Sequence, residues 1–317
     1  MKITGWVLLL CFGLPTLAVA GPQLLRMAVP FPPGSKGMAD LQQAARDLSR
    51  QTGGRVQIKF TEQLDLDSVG QPVDGGLLAG SPLVLRSPAA AMDSLPLRYR
   101  TGEEASRFRE RMEPQMAAEL EAKNLVPLAF LDLGFAYLFS VRPLETVEDF
   151  QASRLWVPTE DACAWDLSAA YGTLRVPLAA PQVRAALHDG SVETVVAPPL
   201  GAILLQWHVE LKSVSDRPFL HLLGAGVLKR EALAKLEKED QEQICAGLAA
   251  AFRAVAGELR QQEAEALEVL VQNGVERHPF GSSAEQESGW EAWAARVAER
   301  VSGAGMVSGT APGADRE

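Results

Sequence analysis

The side chains best suited to recognition chemistry crowd into residues 144–199. That stretch holds Trp156 and three arginines, Arg154, Arg175 and Arg184. A guanidinium presents a planar fork that meets a carboxylate or phosphate with two charge-assisted hydrogen bonds. An indole presents one N–H donor and a broad apolar face. These are tools for holding a small molecule. Tools for transforming one are absent at the level of local motifs: the chain has no GxSxG elbow, HExxH pair, Walker loop or dinucleotide fingerprint, and Gly224-Ala225-Gly226 is too short to be one. Four histidines and three cysteines lie scattered, without metal-ligand spacing. Acidic residues are plentiful but fall on expected helix faces, where they read as solvated charge. The pattern favours a binding module over an enzyme, with no cofactor and no metal. A binder should be stabilised by its ligand without consuming it.

The elements that must position these residues can be read from the same stretch. Residues 154–157 form a short strand stopped by Pro158, since proline cannot donate to a ladder. Residues 161–171 form a helix followed by Gly172. Residues 174–177 are a second strand, Pro181 opens a helix to Leu187, and Asp189-Gly190 turns into a third strand, 192–196, closed by Pro198-Pro199. Strands alternating with helices at this spacing predict a largely parallel sheet. Ligands sit at the carboxyl ends of such strands, here Trp156-Val157-Pro158 and Val195-Val196-Ala197. Trp165 and Tyr171 belong to the intervening helix and are expected in the core, with room for one of them to line a cleft. Arg154 and Trp156, two residues apart, share one strand face.

The first 20 residues have the pattern of a secretory signal. Lys2 gives the positive end, residues 7–17 the apolar core, and Ala18-Val19-Ala20 a small-residue cleavage site. The core is shorter than the roughly 20 residues a bilayer requires, and Leu10 before Cys11 argues against a lipid-modified cysteine. Removing the signal leaves 317 − 20 = 297 residues. Losing Lys2 from 30 basic residues against 40 acidic ones takes the net charge from −10 to −11. An exported, acidic chain without a basic run argues against nucleic acid or anionic lipid as a partner. Cys163 and Cys245 remain, free to pair in an oxidising compartment or to stand as separate buried thiols.

Elsewhere, 24–29 and 56–60 read as strands around an amphipathic helix, 38–51, and 83–85 as a short buried strand. Residues 61–80 show weak periodicity. A helix over 101–124 should break at Pro114. Residues 126–131 and 135–141 read as two strands, 200–207 as a short helix and 219–228 as a returning strand. Residues 238–273 contain no proline and keep an apolar face through Ile244, Leu248, Phe252, Val255, Leu259, Ala266 and Leu270, which predicts one helix of about 54 Å. A last short helix, 285–301, carries Trp290 and Trp293, and 303–317 reads as a disordered tail.

Gly134-Phe135-Ala136, the approach from Pro143 to Phe150, Arg154-Leu155-Trp156-Val157-Pro158 and the segment from Gly190 to Pro198 together resemble the second lobe of solute-binding receptors of TRAP-type (tripartite ATP-independent periplasmic) transporters. The opening strand, the loop around Pro32-Pro33-Gly34-Ser35, the first helix and the next strand resemble that family too. The resemblance implies a two-lobed, periplasmic-binding-protein-like α/β fold with a long helix spanning both lobes. Lobe I would be residues 21–134 plus about 219–255, and lobe II residues 135–218 plus about 256–302. It also implies a periplasmic receptor that delivers solute to membrane permease subunits. The frame of the motifs is kept and their polar chemistry is not. Where the family offers polar groups to a carboxylate ligand, this chain has Ala136, Trp156 and Ala197. The expected ligand is therefore apolar or amphipathic, held by Phe135, Ala136, Trp156, Pro158, Val196 and Ala197, and a periplasmic helical-repeat lipoprotein is a possible partner. The alternatives are a small carboxylate anchored by a relocated arginine, or an exported enzyme.

Overall fold

The computed structural model describes residues 21–68 and 71–303. The expected signal segment and the residues after 303 lie outside the described residues. Among the described residues, ten strands run in chain order: β1 Gln23–Val29, β2 Val56–Glu62, β3 Gly75–Ala79, β4 Leu125–Ser140, β5 Arg154–Pro158, β6 Leu174–Leu178, β7 Thr194–Ala197, β8 Ser213–Ser215, β9 Leu220–Lys229 and β10 Glu276–His278. The helices are α1 Lys36–Gln51, α2 Ser81–Val84, α3 Pro88–Asp93, α4 Gly102–Glu121, α5 Val147–Ala152, α6 Ala162–Ala169, α7 Val183–His188, α8 Pro199–Leu204, α9 Arg230–Leu233, α10 Lys238–Gln272 and α11 Ala284–Gly303. Among the described residues no helix is long and apolar enough to cross a membrane.

The fold is α/β with two lobes joined through β4. The first half of β4 closes the order β2-β1-β3-β9-β4, and its second half opens β4-β7-β5-β6. β5 pairs in parallel with both β6 and β7, as the strand-helix alternation predicted. β4 was expected as two strands. It is one strand of 16 residues, with its register against β9 shifted between Asp132 and Phe135. Gly134 sits in that shift at φ +104°, a conformation that side-chain-bearing residues rarely adopt. The chain bends there instead of breaking, and passes from one half-sheet to the other.

Two further expectations fail for identifiable reasons. Residues 83–85 are not a strand: Pro82 stands at the start of α2, where its fixed φ suits a first helical turn. The strand is instead β3. Its leading glycines let neighbours approach, since a Cβ on Gly76 would lie 2.2 Å from the Ala28 carbonyl oxygen. Glycines in place of β-branched residues hid it from pattern reading. Pro114 does not break α4, which runs 20 residues through it. Proline inside a helix costs about 3 kcal/mol, but Phe108 before it and Met116 and Leu120 after it are buried in packed clusters that hold both halves in line.

The spine is α10, 35 residues long. Its first part packs Ile244, Leu248, Phe252 and Val255 into the core under α1 and β1. Its last part packs Leu267 and Leu270 with Phe139, Val195 and Trp207. A separate aromatic core joins Phe150, Tyr171, Phe219, Phe280, Trp290 and Trp293 beneath α11. Cys163 is buried and Cys245 half-buried; they belong to different clusters and stand as separate thiols.

Candidate functional site

Between the lobes lies a half-open cavity of about 190 Å³. β5 reaches it with its carboxyl end, Trp156-Val157-Pro158. The Asp161 side chain caps α6 by accepting from the Ala164 N–H at 2.8 Å, and that helix supplies Ala164, Leu167 and Ser168, with Tyr171 just beyond its end. From the other side come Ser81 and Val84 of α2, Ser94, and Leu220-His221-Leu222 of β9. The two sides touch directly: the Ser81 hydroxyl donates to the Asp161 carboxylate at 2.7 Å.

Of the residues expected to bind ligand, Trp156, Pro158 and Val196 line this cavity. Phe135, Ala136 and Ala197 are set one layer behind it. Phe135 packs on the His221 ring at 5.3 Å. Ala136 is 3% exposed and paired with Leu220. Ala197 is buried beside Trp207 in the core of the same lobe. Trp156 crosses Trp207 edge to face at 4.9 Å, and its indole N–H donates to the Leu178 carbonyl at 2.9 Å. Its apolar face remains, and its one donor is spent.

None of the three arginines that could act as a displaced anchor lines the cavity. Arg154 shares a face with Trp156 but sits at the opposite end of β5. It pairs there with Glu193 at 3.1 Å and donates to the Gly190 carbonyl at 2.8 Å. Arg175 lies 4.0 Å from the centre of the Trp165 ring and donates to the Trp165 carbonyl. Arg184 donates to Gln206 at 2.8 Å.

The charged group on the wall is one that pattern reading missed. His221 is buried between two carboxylates, with Nδ1 2.6 Å from Asp93 and Nε2 3.0 Å from Asp132. Tyr99 donates to the other Asp93 oxygen at 3.0 Å. Burial by itself favours the neutral ring, but the hydrogen bonds and charges of Asp132 and Asp93 outweigh it and push the His221 pKa up to about 9. Asp132 is shifted the other way: burial opposes ionisation, and the bond to His221 more than offsets it, so its pKa falls below the usual value. His221 is therefore an imidazolium with both N–H groups engaged. It offers no spare donor to a ligand anion. Nothing in an alternating Leu-His-Leu triplet signals this; the aspartates come from segments 89 and 128 residues away.

Comparison with curated protein sequences finds no match. Among solved structures, the fold is similar to a Bordetella pertussis extracytoplasmic solute receptor binding pyroglutamic acid (18% identity, TM-score 0.72, 88% of this chain and 94% of that one). It is similar to a TRAP periplasmic solute-binding protein from Sulfitobacter sp. NAS-14.1 with bound β-D-galacturonate (19%, 0.71, 89% and 95%). It is also similar to one from Ochrobactrum anthropi whose C-terminus occupies the ligand-binding pocket (17%, 0.73, 91% and 92%). Residues 32–302 match the profile of the bacterial extracellular solute-binding proteins, family 7. With that match across most of the chain, this protein belongs to the bacterial extracellular solute-binding proteins, family 7, and its two-lobed fold is the one shared by the periplasmic receptors named above.

Proposed function

We propose that this receptor captures a small uncharged molecule, apolar or amphipathic, in the interlobe cavity and delivers it to TRAP-type permease subunits in the membrane. The observation that carries the reading is that the cavity wall holds no arginine or lysine, while its one cationic group, His221, is committed to Asp93 and Asp132. A carboxylate placed there would lie unpaired near Asp93 and Asp161. Burying an unpaired charge costs several kcal/mol even after relaxation. Apolar walls with a few placed polar groups are what neutral ligands use. The relatives named above hold pyroglutamic acid and galacturonate, which favours the carboxylate reading, but Arg154, Arg175 and Arg184 are all engaged elsewhere.

The volume of about 190 Å³ is below the roughly 300–1,000 Å³ of pockets for drug-sized ligands, so a sterol-sized guest requires the lobes to stand further apart. Lobe I as residues 21–134 plus about 219–255, and lobe II as the remainder to about 302, is supported along α10, where Ile244 to Ala256 pack in one cluster and Leu267 and Leu270 in another, while the aromatic cluster joins Leu95 and Phe219 to Phe150 and Trp290 across that boundary. Export by the N-terminal segment and handover through a periplasmic helical-repeat lipoprotein complete the proposal. The test is mass spectrometry of ligand extracted from natively purified protein, followed by calorimetry. Trp156→Ala is expected to weaken an apolar ligand about tenfold or more by removing its contact face. A small carboxylate bound at micromolar affinity by the unaltered protein would overturn the reading.

A further inference from the structure

The Tyr171 ring is fixed from several directions. It packs on Phe150, Phe219 and Trp293 with centroids 6.3, 5.8 and 5.7 Å away. Its carbonyl accepts from Gln151 and from the Trp293 indole, each at 3.1 Å. The residue is only 6% exposed, yet it lines the cavity. Every other polar side chain on the wall has a protein partner. Ser81 donates to Asp161, Ser94 to the Ala90 carbonyl, Ser168 to the Trp165 carbonyl and Trp156 to the Leu178 carbonyl, while His221 is bound on both sides. The Tyr171 hydroxyl alone makes no hydrogen bond among the described residues. It is not one of the fully enclosed, unpartnered polar atoms of the described residues, so it meets open space with its hydrogen bond still to be made.

We infer that the ligand carries a neutral oxygen, a carbonyl or hydroxyl, that accepts a hydrogen bond from the Tyr171 hydroxyl; this rests on the reading of the cavity as a site for an uncharged molecule. Burial pushes the Tyr171 pKa well above that of an ordinary tyrosine, so the group is a proton donor at neutral pH. A single neutral donor on an apolar wall orients an amphipathic guest without compensating a charge. Tyr171 would then decide which way round the ligand lies, while Trp156, Leu167 and Leu220 hold its apolar body.

The test uses two probes of the same shape, cyclohexanone and methylenecyclohexane, titrated against the full-length receptor and its Tyr171→Phe variant. The variant keeps the ring and its contacts, so its melting temperature should not change. It is expected to bind cyclohexanone about tenfold more weakly, the worth of one hydrogen bond, and methylenecyclohexane within about twofold of the unaltered protein. Equal effects on the two probes, an unchanged ketone affinity, or no binding of either probe to the unaltered protein overturns the inference. Benzoate run alongside separates the two levels. Tight benzoate binding sinks the uncharged-ligand reading, whereas an unchanged ketone affinity in the variant sinks the role of the hydroxyl alone.

Discussion

Two buried titratable residues, His221 and Glu263, make the stability of this receptor depend on pH in the same direction. The His221 pKa is raised from 6.5 to about 9. Its stabilisation is fully present below pH 6.5 and is lost as pH rises through 9, a change of about 3 kcal/mol. The Glu263 carboxyl, 8% exposed on α10, accepts from the Leu200 N–H at 2.8 Å. Burial pushes its pKa up to about 7, against the pull of that hydrogen bond. A carboxyl raised in the folded state favours folding most below about pH 4.5 and loses that contribution as pH rises through 7. Urea unfolding across pH is expected to show stability falling through both windows. Glu263→Gln, which keeps an acceptor for Leu200, should flatten the lower window and leave the fall between 6.5 and 9 intact. His221→Leu should destabilise by about 3–5 kcal/mol at neutral pH, because it strands two buried carboxylates.

Among the elements, α10 shows where propensity and packing oppose each other. Glycine inside a helix costs about 1 kcal/mol relative to alanine, so Gly247→Ala looks stabilising on sequence grounds. A Cβ there would lie 2.2 Å from a Leu48 methyl and 3.1 Å from its branch carbon, and Leu48 of α1 is 4% exposed. Overpacking costs about 1–3 kcal/mol and exceeds the propensity gain. Chemical denaturation of Gly247→Ala should therefore show a net loss of about 1 kcal/mol; a gain would mean that α1 and α10 separate freely. The same balance marks which elements were legible. The unit from β5 to β7 was readable because alternation, caps and proline stops all pointed one way. β3 and the unbroken α4 were not, because glycine-permitted close approach and clamped helix ends belong to the neighbours.

At the scale of the whole molecule, a ligand larger than the cavity is admitted only if its two sides part. The Ser81–Asp161 hydrogen bond must break in that step. Ser81→Ala removes it without touching the bond by which Asp161 caps α6. Stopped-flow release of bound ligand should become several-fold faster, in line with one hydrogen bond, with the melting temperature of the free protein unchanged; an unaltered release rate would show that closure does not depend on this contact.

The sequence by itself determined the α/β class and the long helix, because both are written in local spacing and residue type, and the segments around Ala136, Trp156 and Ala197 carried the family resemblance. Strand-end logic also found Trp156, Pro158 and Val196 on the wall. Only the tertiary structure decided that Phe135, Ala136 and Ala197 stand behind it, that the arginines point elsewhere, and that Ser81, Tyr171 and His221 complete the cavity. Those facts depend on how β4 bends at Gly134 and how α2 meets α6, and contacts between segments 80 or more residues apart leave no periodic trace in the chain that makes them.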